Sequence, residues 1–119
     1  VTTLVADLEQ RGQLDRTLVI AMGEFGRTPQ TGTQASSDGR NHWPVVMSML
    51  MAGGGLRHGQ VIGATEKDGG HILERPVTPG DLAATMLRYF GMPLDLTYQD
   101  NTGRPRMVLD HGEPLREMW

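Results

Sequence analysis

Thr17-Leu18-Val19-Ile20-Ala21-Met22-Gly23-Glu24-Phe25-Gly26-Arg27-Thr28-Pro29 decides how the rest of the chain is read. Residues 17–22 are a short, near-continuous apolar run rich in β-branched side chains. That pattern suits a strand covered on both faces, as in a parallel sheet flanked by helices. Open α/β sheets bind ligands beyond the carboxyl ends of their strands, which places Gly23–Pro29 where chemistry is expected.

Working outward, Val1, Leu4, Val5 and Leu8 fall at helical spacing and Gly12 follows as a stop, so an amphipathic helix precedes the strand. Downstream, Gly23 to Gly39 is dense in Gly, Thr, Ser, Pro and Gln without apolar periodicity and reads as an exposed loop. Val45-Val46-Met47-Ser48-Met49-Leu50-Met51-Ala52 is a second buried strand in this reading. Gly53-Gly54-Gly55 ends it, where the backbone is free to turn sharply or approach another segment. The stretch from Gly59 to Arg75 is polar and turn-rich. Thr78-Pro79-Gly80-Asp81 then opens a helix: Thr78 caps, Pro79 takes the first helical position and Asp81 reaches back to complete a capping box. Leu82, Met86 and Phe90, with Ala83 and Leu87, supply its apolar face, and Gly91 with Pro93 ends it. The tail from Asp95 to Trp119 carries turn signals and room for a short hairpin.

The 119 residues bound the chain to one domain at most. Two strands and two helices leave sheet edges unpaired, so neighbouring strands are expected from outside residues 1–119. The start at Val1, with no initiator Met and no leader pattern before a helical stretch, reads as a cut. Lys and Arg total 11 against 14 Asp and Glu, a balance that offers no basic field for nucleic acid or an anionic membrane. No apolar run approaches the roughly 18 residues of a membrane span. The absence of Cys removes disulfides and thiolate metal sites.

Two clusters carry the candidate chemistry. Glu24 offers a carboxylate to a hard or borderline cation between flanking glycines, and Arg27 a planar fork for an oxyanion. In Gly39-Arg40-Asn41-His42-Trp43-Pro44, His42 is a candidate ligand, Asn41 a neutral oxygen donor and Arg40 an anion contact. Trp43 and Pro44 read as loop anchors. Glu24 and His42 lie near opposite ends of one Gly-rich loop and are expected to converge across it. The plainer alternative is an ion-pair network in which Glu24, Arg27 and Arg40 only hold the loop. His58 and His71 read as solvent-facing turn residues and His111 as a tail residue. No Gly-x-Ser-x-Gly elbow, phosphate loop or His-Glu-x-x-His pattern is present.

Three runs in order, Leu18–Pro29, Gly39–Pro44 and Pro76–Thr85, make the chain resemble the bacterial family of domain of unknown function 1501, in its C-terminal portion. The resemblance implies a place in the alkaline phosphatase/sulfatase superfamily, and with it a fragment of a three-layer α/β/α domain with a mostly parallel sheet. It implies a metal-dependent hydrolase-like parent acting on a small-molecule or glycan ester of sulfate or phosphate, exported or periplasmic, with zinc, calcium or magnesium as cofactor. Glu24 and His42 would be metal ligands, and Arg27 and Arg40 would stabilise oxyanion charge as catalytic residues. The nucleophile would lie in a missing N-terminal part of the same domain, leaving the fragment alone inactive. Two positions depart from the superfamily and family patterns. Phe25 stands in place of a metal-binding His, and Asn41 in place of an Asp, which removes a negative charge beside the expected ligand. The departures favour an alternative, a non-catalytic scaffold that binds a glycan or a protein partner.

Overall fold

The computed structural model describes residues 1–33 and 37–119. It divides into an N-terminal unit, Val1–Pro76 with Met118–Trp119, and a C-terminal unit, Val77–Glu117.

In the N-terminal unit, helix α1 (Thr2–Gln10) forms where the apolar spacing predicts it. Its end is set by Gly12, whose φ of +64° only glycine adopts readily. The amide of Gly12 donates to Glu9 O and that of Gln13 to Leu8 O, satisfying carbonyls the helix leaves open. A 3₁₀ turn over Leu14–Arg16 leads into strand β1 (Leu18–Met22). The chain then makes two very short strands, β2 (Gly26–Arg27) and β3 (His42–Trp43), before strand β4 (Met49–Gly53). Strands β5 (Ala64–Thr65) and β6 (Ile72–Glu74) form a small hairpin.

Strand β1 pairs with β4, and the pairing is antiparallel, Leu18 opposite Gly53 through Met22 opposite Met49. The three-layer α/β/α domain with a mostly parallel sheet is therefore overturned: the described residues form four separate two-stranded sheets, each antiparallel. The cause lies between the strands. A parallel pair needs a crossover long enough to carry the chain back to the start of the sheet, usually a helix. The described residues between β1 and β4 hold no helix. They hold the antiparallel ribbon β2–β3, whose returning strand delivers the chain to β4 running against β1.

The expected second strand is also shorter than its apolar run, because Val45 lies in a turn and Val46–Ser48 outside any ladder. Nor are the faces of the β1–β4 pair fully covered, although apolar runs of this kind suggest it: most of their residues are only half-buried. Register places Met22 with Met49 on one face and Leu50 with Ala21 on the other, and Met22 and Leu50 are 48% and 45% exposed. At the far end the expectation from the glycines holds. Gly53, at φ +80°, sits so close to the Leu14 and Thr17 carbonyls that a Cβ there would collide with both, and Gly54 N donates to Leu14 O at 2.8 Å.

The C-terminal unit is built on helix α2 (Pro79–Tyr89). Its capping box forms as the sequence requires: Asp81 N donates to Thr78 Oγ1 at 3.1 Å and Thr78 N to Asp81 Oδ2 at 2.8 Å. The buried face is not the one the apolar spacing predicts. Phe90 is 69% exposed, whereas Gly80, Ala84 and Thr85 are buried. At Gly80 only the smallest residue fits, because the His111 carbonyl and ring lie against it. Gly80 and Gly112 meet so closely that a Cβ on either would strike the other's segment. Asp81 Oδ1 accepts from Glu113 N at 2.8 Å, and Thr85 Oγ1 donates to Asp81 O while accepting from Leu115 N at 3.0 Å. The hydroxyl of Thr85 thus satisfies a buried amide that no helix or sheet partner serves.

The tail does form the expected hairpin, with strands β7 (Thr97–Gln99) and β8 (Pro105–Met107). Asp100 organises its turn. The carboxylate accepts from Thr102 Oγ1 at 2.7 Å, Thr102 N at 2.9 Å and Arg104 N at 3.0 Å, and pairs with Arg106 at 3.2 Å. These bonds, that of the Thr102 hydroxyl foremost, hold its pKa down at about 2 from the ordinary 3.8.

Two expectations follow. Replacing Thr85 by Val leaves the Leu115 amide unsatisfied and should lower the unfolding free energy by roughly 1–3 kcal/mol in a urea titration. A depressed carboxylate stabilises the fold above its unfolded pKa and loses that contribution as the pH falls through its folded value. Amide protection in the Thr97–Met107 hairpin should therefore decline as the pH drops from about 4 to about 2, followed by hydrogen exchange, and Asp100→Asn should abolish this dependence.

Candidate functional site

The two sequence clusters meet through backbone pairing. In the β2–β3 ribbon Gly26 stands opposite Trp43 and Arg27 opposite His42, so the ends of the long loop come together as expected. Glycine is required at 26 because the chain that follows β3 passes too close for a side chain. A Cβ there would collide with the Val46 carbonyl oxygen and lie 3.3 Å from that of Trp43.

The ribbon is extended by a pair of bonds centred on Thr28, which is buried. Thr28 N donates to Asn41 O at 3.0 Å, and Asn41 N donates to Thr28 Oγ1 at 3.1 Å, while that hydroxyl donates to Gln30 O at 2.9 Å. Farther out, Asn41 Nδ2 donates to Thr33 O at 3.0 Å and Gly32 N to Gly39 O at 3.0 Å. The part of the predicted 23–39 loop comprising residues 34–36 lies outside the described residues. Asn41 therefore has a structural task, which its amide performs and an Asp carboxylate could not, since a carboxylate has no hydrogen to give to Thr33 O. Sequence reasoning assigned Asn41 to a ligand and passed over Thr28. The signal for Thr28 was slight, a single hydroxyl before Pro29 in a polar stretch.

Around this frame the four predicted site residues are distributed as follows. Phe25 stacks on His42 with ring centroids 4.1 Å apart. Arg27 reaches along the ribbon to the Arg40 carbonyl with a long 3.5 Å hydrogen bond. Glu24 is next to Phe25, and Glu24, Arg27, Arg40 and His42 are all exposed. Among the described residues, Glu24, Arg27 and Arg40 make no ion pair with one another or with any other group. The loop-holding ion-pair network is thus not formed there, and neutral hydrogen bonds through Thr28 and Asn41 do that work.

As a metal centre the chain offers few donors. Glu24 and His42 are two, fewer than the four a structural zinc takes or the six to eight oxygens of calcium. No group of three or more His, Cys, Asp or Glu suited to holding a cation occurs among the described residues. These residues alone do not fit a complete centre.

Trp43, read from sequence as an anchor by packing, makes a directed bond: its Nε1 donates to Gly70 O at 2.7 Å. That fixes the 66–71 turn, in which His71 meets Trp43 edge-on and pairs with Glu66 at 3.5 Å. His58 Nε2 lies 2.6 Å from Gly53 O. Both histidines are exposed turn residues as expected, but each has a partner that sequence spacing did not show. In the C-terminal unit an open groove of ≈ 590 Å³ is lined by Arg88, Met92, Leu94, Glu113 and Arg116 among others, and holds none of the four predicted residues.

The close approach at Gly26 gives a test of the frame. Gly26→Ala must push β2 away from the Val46 backbone that follows β3, and the loss of stability should be about 1–3 kcal/mol by chemical denaturation. A substitution at exposed Glu24 should change stability by less than about 0.5 kcal/mol.

The model of the family described as "Protein of unknown function (DUF1501)" matches residues 1–119. Neither the curated proteins nor the solved structures give a match to the chain. The three runs that suggested this family, Leu18–Pro29, Gly39–Pro44 and Pro76–Thr85, supply β1 with β2, β3, and the capped start of α2, and the chain belongs to the DUF1501 family.

Proposed function

We propose that the exposed surface of the β2–β3 ribbon is an oxyanion-binding element of a sulfate- or phosphate-ester hydrolase-like protein. The observation that supports it most is the set of uncompensated charges on a hydrogen-bonded frame. Arg27 and Arg40 carry two guanidinium groups with no carboxylate paired to either among the described residues, and Arg27 stands opposite His42. An Arg fork matches the planar array of acceptors on a sulfate or phosphate group and remains charged at any working pH. In such a protein the arginines bind and orient the ester oxygens and offset charge that develops on them.

Placement in the alkaline phosphatase/sulfatase superfamily, with zinc, calcium or magnesium beside Glu24 and His42, is the finer form of this reading. It requires further ligands and a nucleophile from outside residues 1–119. The metal would supply Lewis-acid chemistry. The residues of this chain would bind and position the ester. Export to the periplasm belongs to the same finer reading and rests on the family resemblance alone.

The shortage of metal donors favours a second reading, a non-catalytic scaffold whose exposed charges hold an acidic glycan or protein partner. The two readings part on esters: the hydrolase reading requires turnover in a protein that also contains the remaining ligands, and the scaffold reading requires binding without turnover.

Both can be probed with inorganic phosphate and sulfate on the 119-residue chain, followed by amide chemical shifts. We expect saturable shifts confined to Gly26–Thr28 and Arg40–Trp43, and an affinity about tenfold weaker in Arg27→Ala, a loss near 1.4 kcal/mol. Equal titrations of the parent chain and Arg27→Ala, or shifts scattered over the surface, would overturn the assignment of anion binding to this ribbon.

A further inference from the structure

We draw no further inference here: the strongest candidate, the apolar β1–β4 sheet with half-exposed Met22 on one face and Leu50 on the other, is an unpartnered surface, and nothing in the structure shows what covers it.

Discussion

The hydroxyl of Thr28 and the backbone of Asn41 hold the two ends of the long loop together, and the arrangement of the N-terminal unit depends on that closure. Bringing together the ends of a segment this long costs chain entropy that rises only slowly with length, so a few well-placed bonds can offset it. Here they are the Gly26–Trp43 and Arg27–His42 ladder, the Thr28–Asn41 bonds beyond it, and the bond from the Asn41 amide to Thr33. All are short-range and neutral. Because the chain turns back on itself within this ribbon, β4 runs against β1, and the sheet is antiparallel where its composition suggested otherwise.

In the C-terminal unit another threonine with an aspartate does comparable work. The sequence Thr78-Pro79-Gly80-Asp81 codes a helix start, but its residues do more than begin a helix. One oxygen of Asp81 closes the capping box and the other holds the Glu113 amide, while Thr85, one turn later, holds the Leu115 amide. Glycine at 80 and 112 permits the close approach these bonds need. Ala84 and Thr85 are accordingly the buried side chains of the helix, while Leu82, Met86 and Leu87 are half-buried and Phe90, just past its end, is exposed. The tail comes near because the facing residues are small and polar groups can be paired.

What the sequence made legible follows from which interactions are local. Both helices, their glycine stops, the Thr78 cap, the strand at 18–22 and the tail hairpin are set by residues within a few positions of one another, and each is found close to where pattern places it. Strand direction is different, since an apolar run has the same composition whichever way its partner travels. The buried side of α2 was misread because apolar spacing marks what can be buried, whereas the Gly80–Gly112 approach depends on residues about thirty positions apart. At the site, the two motifs flanking one loop marked the segments that pair, Gly26–Arg27 with His42–Trp43. The hydrogen bonds of Thr28 and Asn41 were not readable, because a hydroxyl or amide in a polar loop gives no sign of its partner.

The site depends on the ribbon that places Arg27 across from His42, and the lack of native cysteine allows a direct measurement. Directly opposed residues on antiparallel strands have Cα atoms about 4.5–5.5 Å apart, within the span of a disulfide. In the double variant Arg27→Cys/His42→Cys, mild oxidation should form an intramolecular disulfide, seen as loss of both free thiols in a monomeric chain. Thiols that stay reduced, or that join only between chains, would contradict the pairing on which the site is built.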